Sequence, residues 1–371
     1  MNYYIIAGEA SGDLHGSNLI KAIHQTDTSA TIRCWGGDKM QEAGATLVKH
    51  YRELAFMGFA EVIANLRTIF KNLSFCKEDI LAHKPDVIIL IDYPGFNLRI
   101  AKWAREQQIK VIYYISPQVW AWKENRVKMM KQCIDLMLVI LPFEKEYYQN
   151  KWNWQVHYVG HPLLEEVARS KAQQALQQPS HAKPIIALLP GSRKQEILKK
   201  LPVMLQVSQS LPDYQFVIAK APGVEEAFYT GLISSYSNVS AVSNQTYALL
   251  QQSTAALVTS GTATLETALF HVPQVVCYKG NEISYQIAKR LVNIKYISLV
   301  NLIMDREVVK ELIQHEMNAA NLLTELKKIL PGSTQREEVL QQYKQLASVL
   351  SAGGNASATA AELIKPFLQK K

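Results

Sequence analysis

Tyr3-Tyr4-Ile5-Ile6-Ala7-Gly8-Glu9-Ala10-Ser11-Gly12-Asp13-Leu14-His15-Gly16 is the stretch on which the fold turns. Tyr3 to Ala7 is an unbroken apolar run, the composition of a strand buried on both faces. The glycines that follow let the chain turn closely, and a helix opens behind them. Strand, glycine turn and helix form the repeating unit of a parallel α/β sheet. The unit recurs at Val87 to Ile91, Val111 to Ile115 and Leu136 to Leu141. It restarts after residue 184 at Ile185 to Leu189, Phe216 to Ala219, Ala256 to Thr259 and Gln274 to Tyr278.

Two β/α halves are therefore expected, since 371 residues also exceed what one core usually supports. The reading is an N-terminal Rossmann-like domain over 1–167, a Gln-rich linker over 168–184 with Pro179 and Pro184, and a C-terminal Rossmann-like domain over 185–345. From Arg306 onward the strands stop and helices take over. The segment 346–371, with Ala356 to Gln369, is read as returning across the linker to the first domain.

An apolar fraction of 48% can fill both cores. No stretch reaches the roughly 18 apolar residues of a spanning helix, and no basic leader precedes the first strand, so a cytoplasmic protein is expected. Cys34, Cys76, Cys133 and Cys277 lie far apart, which argues against a disulfide framework or a zinc knuckle. A net charge of +8 favours an anionic partner. Nucleic acid ranks low as that partner and none is expected, because the basic residues are scattered and no binding motif is present.

Ligands of open parallel sheets collect at the carboxyl ends of the strands, so the loops there carry the candidate site residues. Gly8 to Gly16 has the wrong glycine spacing for a dinucleotide fingerprint, which leaves Gly8 and Ser11 as backbone-side ligand contacts or as parts of a structural turn. Asp92, at the mouth of Val87 to Ile91, is a candidate general base; its alternative is a turn-forming Asp ahead of Pro94. Glu9 is a second acid from the same half, and two carboxylates can divide catalytic roles by environment.

In the second half, Gly191-Ser192-Arg193 ends a strand just before a helix. A guanidinium beside a helix N-terminus suits a diphosphate, while a surface ion pair of Arg193 with Glu196 is the alternative. Ser260-Gly261-Thr262 repeats the pattern with amides for phosphate, and Glu266 one turn further is placed for ribose hydroxyls; simple helix capping is the alternative there. No D-x-D pair and no H-E-x-x-H occurs, and His157 and His161 flank a predicted strand, so no metal and no cofactor are expected.

Six segments taken together resemble the lipid-A-disaccharide synthase family: Ala7 to Asp13, Asp92 to Asn97, Ser116 to Trp122, Leu141 to Glu144, Leu189 to Arg193 and Ser260 to Glu266. The resemblance keeps motif order over almost the whole chain. It implies a GT-B fold, in which two Rossmann-like domains face a cleft, with C-terminal helices. It implies an inverting transfer from UDP-2,3-diacylglucosamine to 2,3-diacylglucosamine 1-phosphate, giving a β-1,6-linked disaccharide 1-phosphate and UDP. The family's important acids fall on Glu9 and Asp92, its donor arginine on Arg193 and its late asparagine on Asn301, a residue that the pattern alone did not single out. Gly95 stands where the family often has Asp, and Val300 where it often has Pro.

The implied partners are a UDP-sugar donor, an acylated sugar phosphate acceptor and the inner face of the inner membrane, with peripheral attachment; a homodimer stays open. Phe59, Val62, Ile63, Leu66, Ile69, Phe70 and Leu73 recur at helical spacing near Arg67 and Lys71. That stripe faces either the core, the commoner outcome, or acyl chains and lipid, for which Val62, Ile63, Leu66, Ile69 and Phe70 are the candidates. Rival readings are a GT-B enzyme acting on another UDP-sugar, such as the muramyl-lipid glucosaminyltransferase or an epimerase, a non-catalytic nucleotide-sugar binder, and an NAD-dependent oxidoreductase.

Overall fold

A computed structural model describes residues 1–54, 66–174, 183–292 and 294–369. The chain forms two compact units, Met1–Pro162 with Leu350–Lys371, and Leu163–Val349. The first holds strands β1 (Asn2–Ala7), β2 (Thr31–Gly36), β3 (Thr46–His50), β4 (Val87–Ile91), β5 (Lys110–Tyr114), β6 (Leu136–Val139) and β7 (His157–Tyr158). The second holds β8 (Ile185–Leu189), β9 (Gln215–Lys220), β10 (Val239–Ser243), β11 (Ser253–Thr259), β12 (Gln274–Tyr278) and β13 (Lys310–Ile313).

Both sheets are parallel, in the orders β3-β2-β1-β4-β5-β6-β7 and β10-β9-β8-β11-β12-β13. Each order reverses direction once, between β1 and β4 and between β8 and β11. A reversal leaves two neighbouring loops running to opposite faces, and the crevice between them is where such sheets take ligands. The registers Ala7 opposite Ile91 and Leu189 opposite Val258 bring each loop pair level.

Strand residues alternate between two buried faces, as parallel strands covered on both sides must. Tyr4, Ile6, Ile88, Leu90 and Tyr113 join one core of the first unit, and Tyr3, Ile5, Ile89, Ile112 and Tyr114 the other. Ala360, Ala361 and Ile364 from the helix Ala356–Gln369 complete the second of these cores, and that helix packs beside Ala10–Thr26. The small alanines allow the close approach.

Three expectations change. A strand does follow Arg306: β13 pairs with β12, and its mixed sequence Lys-Glu-Leu-Ile hides it because an edge strand buries only one of its faces. The helix Leu163–Gln174 runs through the first part of the stretch read as a linker and packs on the second unit, while residues 175–182 lie outside the described residues. His157 begins β7 rather than flanking a strand.

The apolar stripe is only partly described. Val62 and Ile63 lie outside the described residues, as does the side chain of Leu66. In the helix Leu66–His83, Ile69 and Leu73 pack against the core whereas Phe70 is 58% exposed. Ile69 is thus a core-facing residue, and of the described candidates Phe70 alone projects outward. Among the described residues no helix is long and apolar enough to cross a membrane. All four cysteines are free and buried.

Candidate active site and donor pocket

Asp92 and Tyr93 follow β4 with φ of 44° and 48°, a left-handed pair that non-glycine residues adopt at a cost. The surroundings hold them there. The Asn97 amide donates to the carbonyls of Ile91 and Asp92 at 3.2 and 2.8 Å, and the Tyr113 hydroxyl donates to the Asp92 carbonyl at 2.6 Å. Asn97 is fully buried in the helix Pro94–Glu106 and Tyr113 lies in β5, so two elements hold the Asp92 backbone in place.

Burial, helped by the charge of Glu9 and opposed by the Tyr93 backbone N–H, pushes the Asp92 carboxyl up to about 6. A carboxylate with that affinity is largely ionised at neutral pH yet basic enough to take a proton. Glu9 is exposed at the N-cap of the helix Ala10–Thr26. Gly8 lies beneath the Tyr93 ring, where an added Cβ would come within 2.3 Å of Cδ1, so the first loop and the Asp92 loop are packed together. Ser11 is exposed on the first turn of that helix.

Two groups in this half were not singled out for a role from sequence. Asp13 accepts from the backbone N–H groups of Gly37, Lys39 and Met40, capping the helix Asp38–Glu42, so this motif acid is structural. Glu144, after β6, is buried and accepts from Leu141 N–H at 3.0 Å and the Trp120 indole at 3.2 Å. Burial lifts it to about 8 against those hydrogen bonds, and the Asp92 charge adds to the rise. Its place at a strand end was the available signal. It ties together the Ser116–Trp122 and Leu141–Glu144 segments.

In the second unit Gly191, Ser192, Ser260, Gly261, Thr262 and Glu266 line a single cavity of about 340 Å³, joined by Glu196, Lys220 and Thr246. Four of its loops come from β8, β9, β11 and the helix Thr246–Gln252. Gly191 at φ 121° and Gly261 at φ 149° take conformations that other residues rarely adopt, and both line the cavity. Arg193 is the N-cap of the helix Lys194–Ser208, and its side chain, 64% exposed, lies 3.7 Å from Glu196. Glu266 accepts from the Tyr247 hydroxyl at 2.7 Å, and burial raises its pKa.

The side chain of Asn301, the site residue that the resemblance alone supplied, is engaged within the protein. Fully buried, its Oδ1 accepts from Val308 and Val309 N–H at 2.8 and 3.0 Å, and its Nδ2 donates to the Val309 carbonyl and to Glu311 at 2.8 and 2.9 Å. An amide has four such valences and all four are used within the protein. Asn301→Ala should therefore lower stability by about 2–4 kcal/mol, by stranding buried polar partners. Scanning calorimetry checks this, and UDP affinity measured well below the new midpoint should change far less than in Arg193→Ala.

The lipid-A-disaccharide synthetase family model matches residues 3–364. The chain belongs to the lipid-A-disaccharide synthase family. Members are glycosyltransferases of lipid A biosynthesis, and this chain is 37% identical to the lipid-A-disaccharide synthase of Geobacter metallireducens over 99% of its own length and 97% of that relative's. It is 35% identical to lipid-A-disaccharide synthase 1 of Legionella pneumophila (strain Lens), over 94% of this chain and 93% of the relative.

Solved structures bear on the fold. The glycosyltransferase of kitacinnamycin superposes with a TM-score of 0.71 at 15% identity, covering 99% of both chains. The UDP-GlcNAc 2-epimerase of Neisseria meningitidis, bound to UDP-GlcNAc, gives 0.68 at 14% identity with full coverage of both. The family's fold here is GT-B, as the glycosyltransferase neighbours and the two Rossmann-like sheets show. Among the described residues no group of three or more His, Cys, Asp or Glu side chains is placed to hold a metal ion.

Proposed function

We propose that the chain joins UDP-2,3-diacylglucosamine to 2,3-diacylglucosamine 1-phosphate, with inversion, to give a β-1,6-linked disaccharide 1-phosphate and UDP. The observation that carries this for a synthase-family chain is the Asp92 carboxylate, on a backbone held by Asn97 and Tyr113 and raised by burial to about 6. Asp92 takes the proton of the acceptor 6-hydroxyl as its oxygen bonds to the anomeric carbon. The bond from that carbon to UDP breaks on the opposite face. Burial, with the charge of Glu9 added to it, keeps Asp92 basic.

The donor occupies the cavity of the second unit, whose residues suit a nucleoside diphosphate. Arg193 and the amides around Gly191, Ser192, Ser260, Gly261 and Thr262 receive the diphosphate, and charge growing on the leaving group is stabilised there. Glu266 takes ribose hydroxyls on the oxygen that Tyr247 leaves open. The UDP-GlcNAc held by the Neisseria epimerase, on the same fold, supports this class of donor. Gly8 and Ser11 face the acceptor in the first unit.

The chain works at the inner face of the inner membrane. Phe70 is exposed between the exposed Arg67 and Lys71, and Trp122 is 48% exposed under Lys123 and near Arg126, a mixture of apolar and basic groups that suits an anionic lipid surface.

The test is to combine purified protein with both acylated substrates and follow the lipid product by mass spectrometry. A disaccharide 1-phosphate with stoichiometric UDP is expected. Epimerised UDP-sugar formed without acceptor would replace the transferase by an epimerase. kcat/KM should also fall about tenfold per pH unit below about 6, as Asp92 gains its proton. A flat acid limb down to pH 5 would remove Asp92 from the role of base.

A further inference from the structure

A carboxylate stands in the wall of the cavity assigned to the diphosphate, where a bare negative charge would repel the ligand. Glu196 lines that cavity. Its two oxygens face two cations: Oε1 lies 3.7 Å from Arg193 Nη1, and Oε2 lies 3.8 Å from Lys200 Nζ.

The cations are unlike. The Arg193 side chain is 64% exposed, at the N-terminus of the helix Lys194–Ser208. The Lys200 side chain is only 4% exposed, one helical turn along from Glu196, and packed beneath the Gly191 turn. A Cβ added to Gly191 would sit 2.8 Å from Glu196 Oε2 and 3.4 Å from Lys200 Nζ, so carboxylate and ammonium both press against that turn. Burial pushes the Lys200 pKa down and Glu196 works against the fall. A lysine buried there is costly compared with an apolar side chain of the same length unless its charge is used.

Resting on the reading of this cavity as the UDP site, we infer that Lys200 is a positioning residue for donor binding. It neutralises Glu196, so that Arg193 can leave the carboxylate for the diphosphate without exposing an unpaired negative charge a few ångströms from the ligand. Lys200 itself does not touch the diphosphate. Arg193 and Lys200 thus divide one task, the exposed cation binding the ligand and the buried one holding the wall neutral.

The full-length chain, its Lys200→Met, Glu196→Gln and double variants are titrated with UDP by calorimetry, with melting temperatures and donor KM and kcat measured alongside. Lys200→Met should weaken UDP by about tenfold or more, raising donor KM with little change in kcat. Glu196→Gln should bind within about threefold of wild type, and the double variant should recover nearly all of the loss, because the repelling charge is gone. A Lys200→Met protein that binds UDP like wild type, or a double variant as weak as Lys200→Met, overturns the inference. Should Lys200→Met fail to fold, Glu196→Gln against the double variant decides: equal affinity supports the inference, and a tenfold gap makes Lys200 a direct ligand and overturns it. Wild-type protein that binds no UDP overturns the donor reading and this inference with it, whereas the other outcomes bear on Lys200 alone.

Discussion

Asp92→Asn should lower turnover by about 10²- to 10⁴-fold, the usual contribution of a positioned base, while UDP affinity stays within about twofold of wild type. The substitution keeps shape and removes basicity. It should also raise the melting temperature, and the sign follows from linkage. The Asp92 pKa is raised from 3.8 to about 6 in the folded protein, so the native state holds the proton more tightly than the unfolded chain. The stability that this provides is complete below about pH 4 and is lost as pH rises through about 6, a difference of the order of 3 kcal/mol at neutral pH. Asn resembles the protonated form at every pH and tolerates the left-handed backbone at this position better than most residues. Lower activity with a higher midpoint is the signature of a strained catalytic carboxylate. Full turnover in Asp92→Asn, with loss in Glu9→Gln, would transfer the base to Glu9 and leave Asp92 as a turn residue.

Arg193→Ala should weaken UDP binding by about 10- to 150-fold, the effect of losing charge-assisted hydrogen bonds worth roughly 1.5–3 kcal/mol. The effect falls in the lower part of the range for ion-pair truncation because the side chain is 64% exposed, where solvent screens the charge. Stability should hardly move. The contact with Glu196 at 3.7 Å is exposed on the arginine side, and such pairs contribute about 0–1 kcal/mol. Calorimetry with UDP and a melting curve separate the two effects. Unchanged affinity would reduce Arg193 to the surface partner of Glu196, and a large fall in midpoint would show that the residue supports the fold instead.

The runs Tyr3 to Ala7, Val87 to Ile91, Ile185 to Leu189 and Ala256 to Thr259 declared themselves as strands because a parallel strand covered on both faces has apolar side chains at every position. The glycine turns behind three of them, and the acid behind the fourth, were legible for the same local reason: chain reversal and a carboxylate at the end of an apolar run leave compositional marks. Once Ser260, Thr262 and Glu266 were on one turn and Gly191 to Arg193 on another, both readings of each loop, ligand contact and capping, remained open.

Only the tertiary structure decided which of those loops meet. Sheet order is a long-range property, and nothing local in Ala7 or Ile91 announces that they pair across eighty-odd residues of chain to make a switch point. Burial is likewise set by neighbours from elsewhere. Glu144 and Lys200 are ordinary charged residues on helices until other elements close over them, and Asn301 reads as a polar ligand until Val308, Val309 and Glu311 take all its hydrogen bonds. Asp92 owes its place at a strand end to its own sequence, but its left-handed backbone to the hold of Asn97 and Tyr113 and its basicity to burial near Glu9. Local sequence determines where a chain turns and which atoms it offers there; electrostatics and desolvation depend on what surrounds those atoms, and that is known only when the chain has folded.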